Sequence, residues 1–158
     1  EPMFELLEYT MGFEIPAQLC QTRAIQAVRN SILDSVMHVN DIFSLKKERV
    51  QQDVHNNVYL IEHLFGCERS QARDYVTKLA ESSVRLYQSI LENELPAMLD
   101  EYHVDAETRE QVTRWAELTS YWIPGNFAWH QASRRYRVSE LWTPSYDHQK
   151  WEPVRAAQ

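Results

Sequence analysis

The sequence predicts an all-α fold. Apolar residues recur at three-to-four spacing over long stretches, strand-type alternation is nowhere sustained, and only three glycines (Gly12, Gly66, Gly125) punctuate the chain. Pro16 is well placed at a helix start. From Ala17 the apolar positions are Leu19, Cys20, Ile25, Val28, Ile32, Val36, Val39, Phe43 and Val50, with no proline or glycine before position 66. This predicts one helix over residues 17 to 49, long enough to cross the whole core. Residues 56–65 form a short helix stopping at Gly66, a good left-handed C-terminal residue. Ser70 is a candidate cap for the next helix, with Ala72, Tyr75, Val76, Leu79, Ala80, Ser83, Leu86, Tyr87, Ile90, Leu91 and Leu95 on its core side and Pro96 near its end. Asp105 caps a last long helix, with Glu107 in the first turn where the helix dipole favours negative charge. It runs through Trp115, Leu118, Tyr121 and Trp122 to Pro124-Gly125, where it kinks or breaks, and a further turn or two covers 127–133. Residues 137–158 hold two prolines and no clear period, which predicts a loop or partly disordered tail. The expected organisation is one helical body over 1–136 and a tail over 137–158.

At 158 residues, 44% hydrophobic and 25% charged, the chain has the make-up of one soluble globular domain. Sixteen Lys+Arg against 23 Asp+Glu give a formal charge of −7, which argues against nucleic-acid binding and against docking on anionic membranes. An anionic ligand would then need metal ions to supply positive charge. There is no Gly-rich phosphate loop and no dinucleotide fingerprint. Cys20 and Cys67 lack metal-binding spacing and are expected as buried free thiols in a reducing cytosol. With no apolar window near 18 residues and no signal peptide, a cytoplasmic location is expected. The absence of Met at position 1 suggests a chain that begins inside a longer protein, or after processing.

One constellation carries chemistry: Asn40-Asp41-Ile42-Phe43-Ser44-Leu45-Lys46-Lys47-Glu48, in the middle of the long helix. Asn40, Ser44 and Glu48 stand at i, i+4 and i+8. Each step of four advances about 40°, so the three side chains form one stripe. An amide oxygen, a hydroxyl and a carboxylate are hard ligands that suit Mg²⁺ rather than Zn²⁺. With one charge among them they hold Mg²⁺ well only when a phosphate group completes the octahedron, and Lys47 is placed to contact that phosphate. The bare stripe is equally compatible with a solvated amphipathic face. The full N-D-x-x-S-x-x-K-E string has a chance occurrence on the order of one in ten thousand in a chain this size.

That string resembles the second metal-binding motif, the NSE motif, of class I terpene synthases, especially microbial terpene cyclases. Downstream, Gly125-Asn126-Phe127-Ala128-Trp129 and then Arg135-Tyr136 resemble the family's G-N-x-x-W segment and its diphosphate-binding Arg-Tyr pair. Gly12-Phe13-Glu14-Ile15-Pro16 resembles the lead into the metal-binding helix. The resemblance implies part of the class I terpenoid synthase helical bundle and a Mg²⁺-dependent carbon–oxygen lyase. The substrate would be an isoprenoid diphosphate, farnesyl diphosphate by similarity to sesquiterpene cyclases. Three Mg²⁺ ions are expected in the complete enzyme, one of them held here by Asn40, Ser44 and Glu48. Lys47, Arg135 and Tyr136 would contact the diphosphate, and Val36, Met37, Trp122 and Trp129 would line the substrate pocket. The aromatic run Trp115, Tyr121, Trp122, Phe127 and Trp129 reads as plain core or as faces that stabilise a carbocation. His38 and His130 read as surface or hydrogen-bonded core histidines, and Asp41 as a hydrogen-bonding anchor.

The sequence departs from the family in one respect. No aspartate-rich DDxxD motif is present, and the nearest acidic cluster, Asp100-Glu101-Tyr102-His103-Val104-Asp105, follows the NSE-like motif and reads as a polar loop. The expectation is therefore the C-terminal part of a synthase domain, inactive or nearly so alone, whose partner is the missing N-terminal half. A homodimer is a further assembly it allows. The rival reading is a non-catalytic helical oligomerisation or binding module. A prenyl-chain synthase of the same fold would carry aspartate-rich motifs at both metal sites.

Overall fold

The computed structural model of the chain describes residues 2–51 and 55–136, so the tail expected over 137–158 lies outside the described residues. All regular structure among the described residues is helical: α1 (Pro2–Met11), α2 (Ala17–Cys20), α3 (Arg23–Gln51), α4 (Asn57–Phe65), α5 (Arg69–Ser89), a π-helical turn (Ile90–Glu94), α6 (Leu95–Glu101), α7 (Ala106–Thr119), α8 (Trp122–Ala132) and a 3₁₀ turn (Arg134–Tyr136). The expected all-α class is what the chain adopts.

The 29-residue α3 is the axis of the molecule; it packs most extensively against α5, and also against α8 and α4, while α1 lies on α7. Its first half buries Ala24, Ile25, Val28 and Ile32 against Phe4, Leu19, Ile90, Leu95, Leu99, Val112 and Trp115. A smaller core of Val58, Ala72 and Val76 joins α4 to α5, with Ile42 and Leu45 of α3 packed on it. Arg29 ties three helices together. Its guanidinium pairs with Glu8 of α1 at 3.1 Å and lies over the rings of Phe4 and of Trp115 in α7, 5.7 and 5.6 Å from their centroids.

Several elements differ from expectation. The helix expected over 17 to 49 is two. Thr22 divides it, donating its hydroxyl to Leu19 O (2.7 Å) while accepting Ile25 N–H (3.5 Å), so one side chain closes α2 and opens α3. α1 was not foreseen. Glu68 rather than Ser70 caps α5, through a reciprocal box in which Glu68 N–H donates to Gln71 Oε1 at 3.0 Å. Tyr75 and Leu86, placed on the core side of α5, are about half exposed. Before Pro96 the helix widens into the π turn, where Leu95 N–H reaches back to Ile90 O. The last long helix stops at Thr119, and Pro124 and Gly125 lie in the first turn of the eleven-residue α8, where a missing N–H costs nothing. Cys20 and Cys67 are free thiols as expected, but half-buried.

Caps read correctly are those set by local chemistry. Gly66 ends α4 at φ +60, whereas Asn56, expected only as the first residue of that helix, is its cap and accepts Val58 N–H (2.9 Å). Asp105 accepts Thr108 N–H (3.0 Å) to start α7, with Glu107 in the first turn.

Candidate functional site

The second half of α3 buries a polar stripe instead of an apolar one: Ser35, His38, Asp41, Ser44 and Glu48. A long helix can bury such residues only if neighbouring elements satisfy them. Asn56 and Asn57 at the start of α4 do so for Asp41, Ser44 and Glu48, while α8 and the 3₁₀ turn hold Asn40, so Asn40, Ser44 and Glu48 sit where three elements converge.

On one side stands Asn56, the cap of α4, which is fully buried. Its Nδ2 donates to Asp41 O at 2.8 Å and Glu48 Oε2 at 2.7 Å, and lies 3.5 Å from Ser44 Oγ. The next residue donates its backbone N–H to Asp41 Oδ2 at 3.0 Å. Asp41 therefore anchors α4 to α3, as expected, and burial pushes its carboxyl above the usual range. On the other side, α8 and the 3₁₀ turn bring His130 and Tyr136 to Asn40. Asn40 Nδ2 is 3.2 Å from His130 Nε2 and donates to Tyr136 Oη at 3.3 Å. The rings of His130 and Tyr136 stack at 5.1 Å, and Phe43 packs on both. Burial raises the Tyr136 phenol above its ordinary value.

The donor set fits a hard divalent cation. Both bonds of Asn40 use its Nδ2, and Asn56 takes only Oε2 of Glu48, so these bonds leave Asn40 Oδ1 and Glu48 Oε1 for a metal. Among the described residues no group of three or more His, Cys, Asp or Glu comes together to hold a metal ion. Any cation here would rest on one carboxylate and two neutral oxygens, a set that calls for an anionic co-ligand.

The remaining expected site residues are spread. Lys47 is half-buried beside Glu48. Tyr136 reaches the stripe, whereas Arg135 is exposed and uses its backbone N–H on Ser133 Oγ at 3.1 Å. Val36 is half-buried on the main core, its carbonyl 3.5 Å from Asn126 Nδ2. Met37, Trp122 and Trp129 are exposed, Trp129 standing edge-on to His130 and Tyr136. Trp115 is fully buried core, while Tyr121 and Phe127 are exposed. His130 is the hydrogen-bonded histidine expected. His38 is buried, with its Nδ1 lacking a hydrogen-bond partner. Sequence reasoning missed Asn56, whose place at a helix start concealed its second use, and the link from His130 to Asn40. No local signal announces the latter, because His130 bonds the backbone carbonyl of Asn126 and Asn40 lies ninety residues away.

The family model for terpene synthase family 2, C-terminal metal binding, matches residues 1–85. The chain is 29% identical over 133 residues to 7-epi-alpha-eudesmol synthase ((2E,6E)-farnesyl diphosphate cyclizing) of Streptomyces viridochromogenes, which covers 84% of this chain and 38% of that protein. It is 31% identical over 135 residues to sesquiterpene synthase 3 of Postia placenta, covering 84% of this chain and 34% of the relative. Its fold is similar to that of linalool/nerolidol synthase from Streptomyces clavuligerus in complex with 2-fluorogeranyl diphosphate, at a TM-score of 0.73 and 25% identity, over 82% of this chain and 43% of that one. The chain thus spans less than half the length of the proteins it matches. No described helix is long and apolar enough to cross a membrane.

Proposed function

The chain belongs to the terpene synthase family 2 C-terminal metal-binding family, and from that premise we propose that it is the metal-binding C-terminal part of a cytoplasmic class I terpene cyclase. The complete enzyme would ionise an isoprenoid diphosphate, farnesyl diphosphate first among candidates, and cyclise the carbocation. The observation that supports this best is the convergence on one face of α3. Asn40, Ser44 and Glu48 supply three hard oxygens, and separate elements hold each end of the set.

Asn40 Oδ1, Ser44 Oγ and Glu48 would hold one Mg²⁺ of the three expected. Bound Mg²⁺ supplies positive charge that neutralises the negative charge developing on the diphosphate oxygens as the allylic C–O bond breaks. Lys47 would bind a diphosphate oxygen as a point charge, while Arg135 and Tyr136 would donate hydrogen bonds to others. Phe127 and Trp129, on the α8 side of the stripe, would present ring faces to the cation and help exclude water. The aspartate-rich motif and the other wall of the pocket would come from the upstream part of the complete domain, so this chain alone turns over little or no substrate.

The test is product formation from farnesyl diphosphate and Mg²⁺ by the complete protein, compared with Glu48→Ala and Asn40→Ala. Both variants should lose nearly all turnover. Undiminished turnover in both would overturn the metal assignment. Magnesium-dependent binding of inorganic diphosphate to the chain separates this reading from a helical scaffold, which has no reason to show it.

A further inference from the structure

His130 stands at the only junction where α8, the 3₁₀ turn and the candidate metal stripe meet among the described contacts of Asn40. Its two ring nitrogens have different partners. Nδ1 lies 2.7 Å from the backbone carbonyl of Asn126, one turn back in α8. A carbonyl oxygen only accepts, so Nδ1 carries the proton. In the neutral imidazole Nε2 is then a lone pair, and it faces the side-chain amide of Asn40 at 3.2 Å. A lone pair is satisfied by the amide N–H₂ and repelled by the amide oxygen.

This bears on a specific weakness of asparagine as a metal ligand. The carboxamide is nearly symmetric in shape, and a half-turn about its last bond exchanges the ligating oxygen for an NH₂ group that no cation accepts. Glu48 has no such problem, because both its carboxylate oxygens ligate. The orientation of Asn40 therefore has to be set by its surroundings. Tyr136 Oη, 3.3 Å away, does not decide it, since a hydroxyl both donates and accepts. His130, with its tautomer fixed by Asn126, is the partner that discriminates. Its ring is held in place by stacking on Tyr136 at 5.1 Å and by packing against Phe43 and Trp129. His130 is itself 3% exposed, so water offers no substitute.

We infer that His130 is a positioning residue for the metal site: its unprotonated Nε2 locks the Asn40 carboxamide with Oδ1 turned toward the cation. The inference rests on the proposed metal role of Asn40, Ser44 and Glu48. It assigns His130 no contact with substrate and no proton transfer.

The experiment measures Mn²⁺ binding to the full chain by electron paramagnetic resonance, with inorganic diphosphate as co-ligand. His130→Phe retains the flat ring but has no lone pair. His130→Gln can place an amide oxygen where Nε2 stood, whereas His130→Asn can replace only the Nδ1 contact. Loss of such an outer partner weakens metal binding roughly 10- to 100-fold. His130→Phe and His130→Asn should show that loss, and His130→Gln should stay within about threefold of the parent on the same reasoning. A long-range ¹H–¹⁵N spectrum of the parent should show Nδ1 protonated and Nε2 bare. Parent-like Mn²⁺ binding by His130→Phe would overturn the inference, as would equal weakening in all three variants or a proton on Nε2. Glu48→Ala separates the two levels of the reading. If it leaves Mn²⁺ binding intact, the metal site itself fails. If it abolishes binding while the His130 variants bind like the parent, only the role of His130 fails. Should His130→Phe not fold, the contrast between Gln and Asn decides alone.

Discussion

Replacing Asn56 should unfold the candidate site from beneath. Its fully buried side chain caps α4 through Val58 N–H and donates to Asp41 O and Glu48 Oε2. Losing a cap costs about 0.5–2 kcal/mol. The Asp41 carbonyl keeps its partner within α3, so losing this second bond to it costs about 0.5–1.5 kcal/mol, and losing the bond to the Glu48 carboxylate costs about 1.5–3 kcal/mol. For Asn56→Ala the total comes to about 4 kcal/mol, a large share of the roughly 5–15 kcal/mol that holds a domain folded. Asn56→Ser keeps the capping oxygen but cannot reach Glu48, so it should lose about 1 kcal/mol less. Urea unfolding of the chain followed by far-ultraviolet circular dichroism gives both values, provided the slopes agree. If Asn56→Ala lies within about 0.5 kcal/mol of the parent, the range of an ordinary surface change, the clamp is not real. If the two variants are equally destabilised, the cap contributes nothing and the whole effect lies in the bonds to α3.

Three further outcomes follow from described contacts. Glu48→Ala should remove magnesium-dependent diphosphate binding as measured by titration calorimetry, while leaving the helical spectrum unchanged; retained binding refutes the ligand set. Asp105 has its carboxyl held below the usual range, first by Thr108 N–H and then by the Thr108 hydroxyl. Its capping contribution is therefore present above the unfolded pKa and lost as pH falls through the folded one. Asp105→Ala should be less stable than the parent at pH 7, with the gap closing in strong acid; a gap that persists there contradicts an ionised cap. Tyr87 donates its hydroxyl to Ala116 O from a buried position, and Tyr87→Phe should cost about 1 kcal/mol at neutral pH. Because burial raises the Tyr87 phenol above 10.0, the parent should lose stability relative to Tyr87→Phe as pH climbs through that region. Parallel alkaline melting curves would rule this out.

What the sequence made legible is what short-range chemistry decides. The stripe of Asn40, Ser44 and Glu48 depends only on helix geometry, and the caps Gly66 and Asp105 act within three residues. Where two local signals compete, the sequence misled. Thr22 looks like one more helical residue until its hydroxyl is seen bonded in both directions. Pro124 marks a helix start as readily as a helix end. Ser70 and Glu68 are both plausible caps, and only the reciprocal bond to Gln71 selects Glu68. The partners of the stripe were beyond local reading, because Asn56 acts on Glu48 eight residues away and His130 on Asn40 ninety residues away. The exposure of Met37, Trp122 and Trp129 depends on tertiary packing in the same way.

The wide turn over Ile90–Glu94 gives α5 and α6 an unusual tolerance. Ile90 and Leu95 both face the core although five residues separate them, a spacing that would put them on opposite sides of a regular helix. The turn absorbs one surplus residue and returns the chain to phase. Removing one residue between them would keep the buried side chains downstream in phase but set Pro96 inside a regular helix, whereas the same deletion in the middle of α3 would rotate Asn40, Ser44 and Glu48 out of line with their partners. The price is Pro96, whose ring fits because the helix is already loosened ahead of it. In this stretch, chain length and helix phase are uncoupled, and the proline keeps the slack from being taken up.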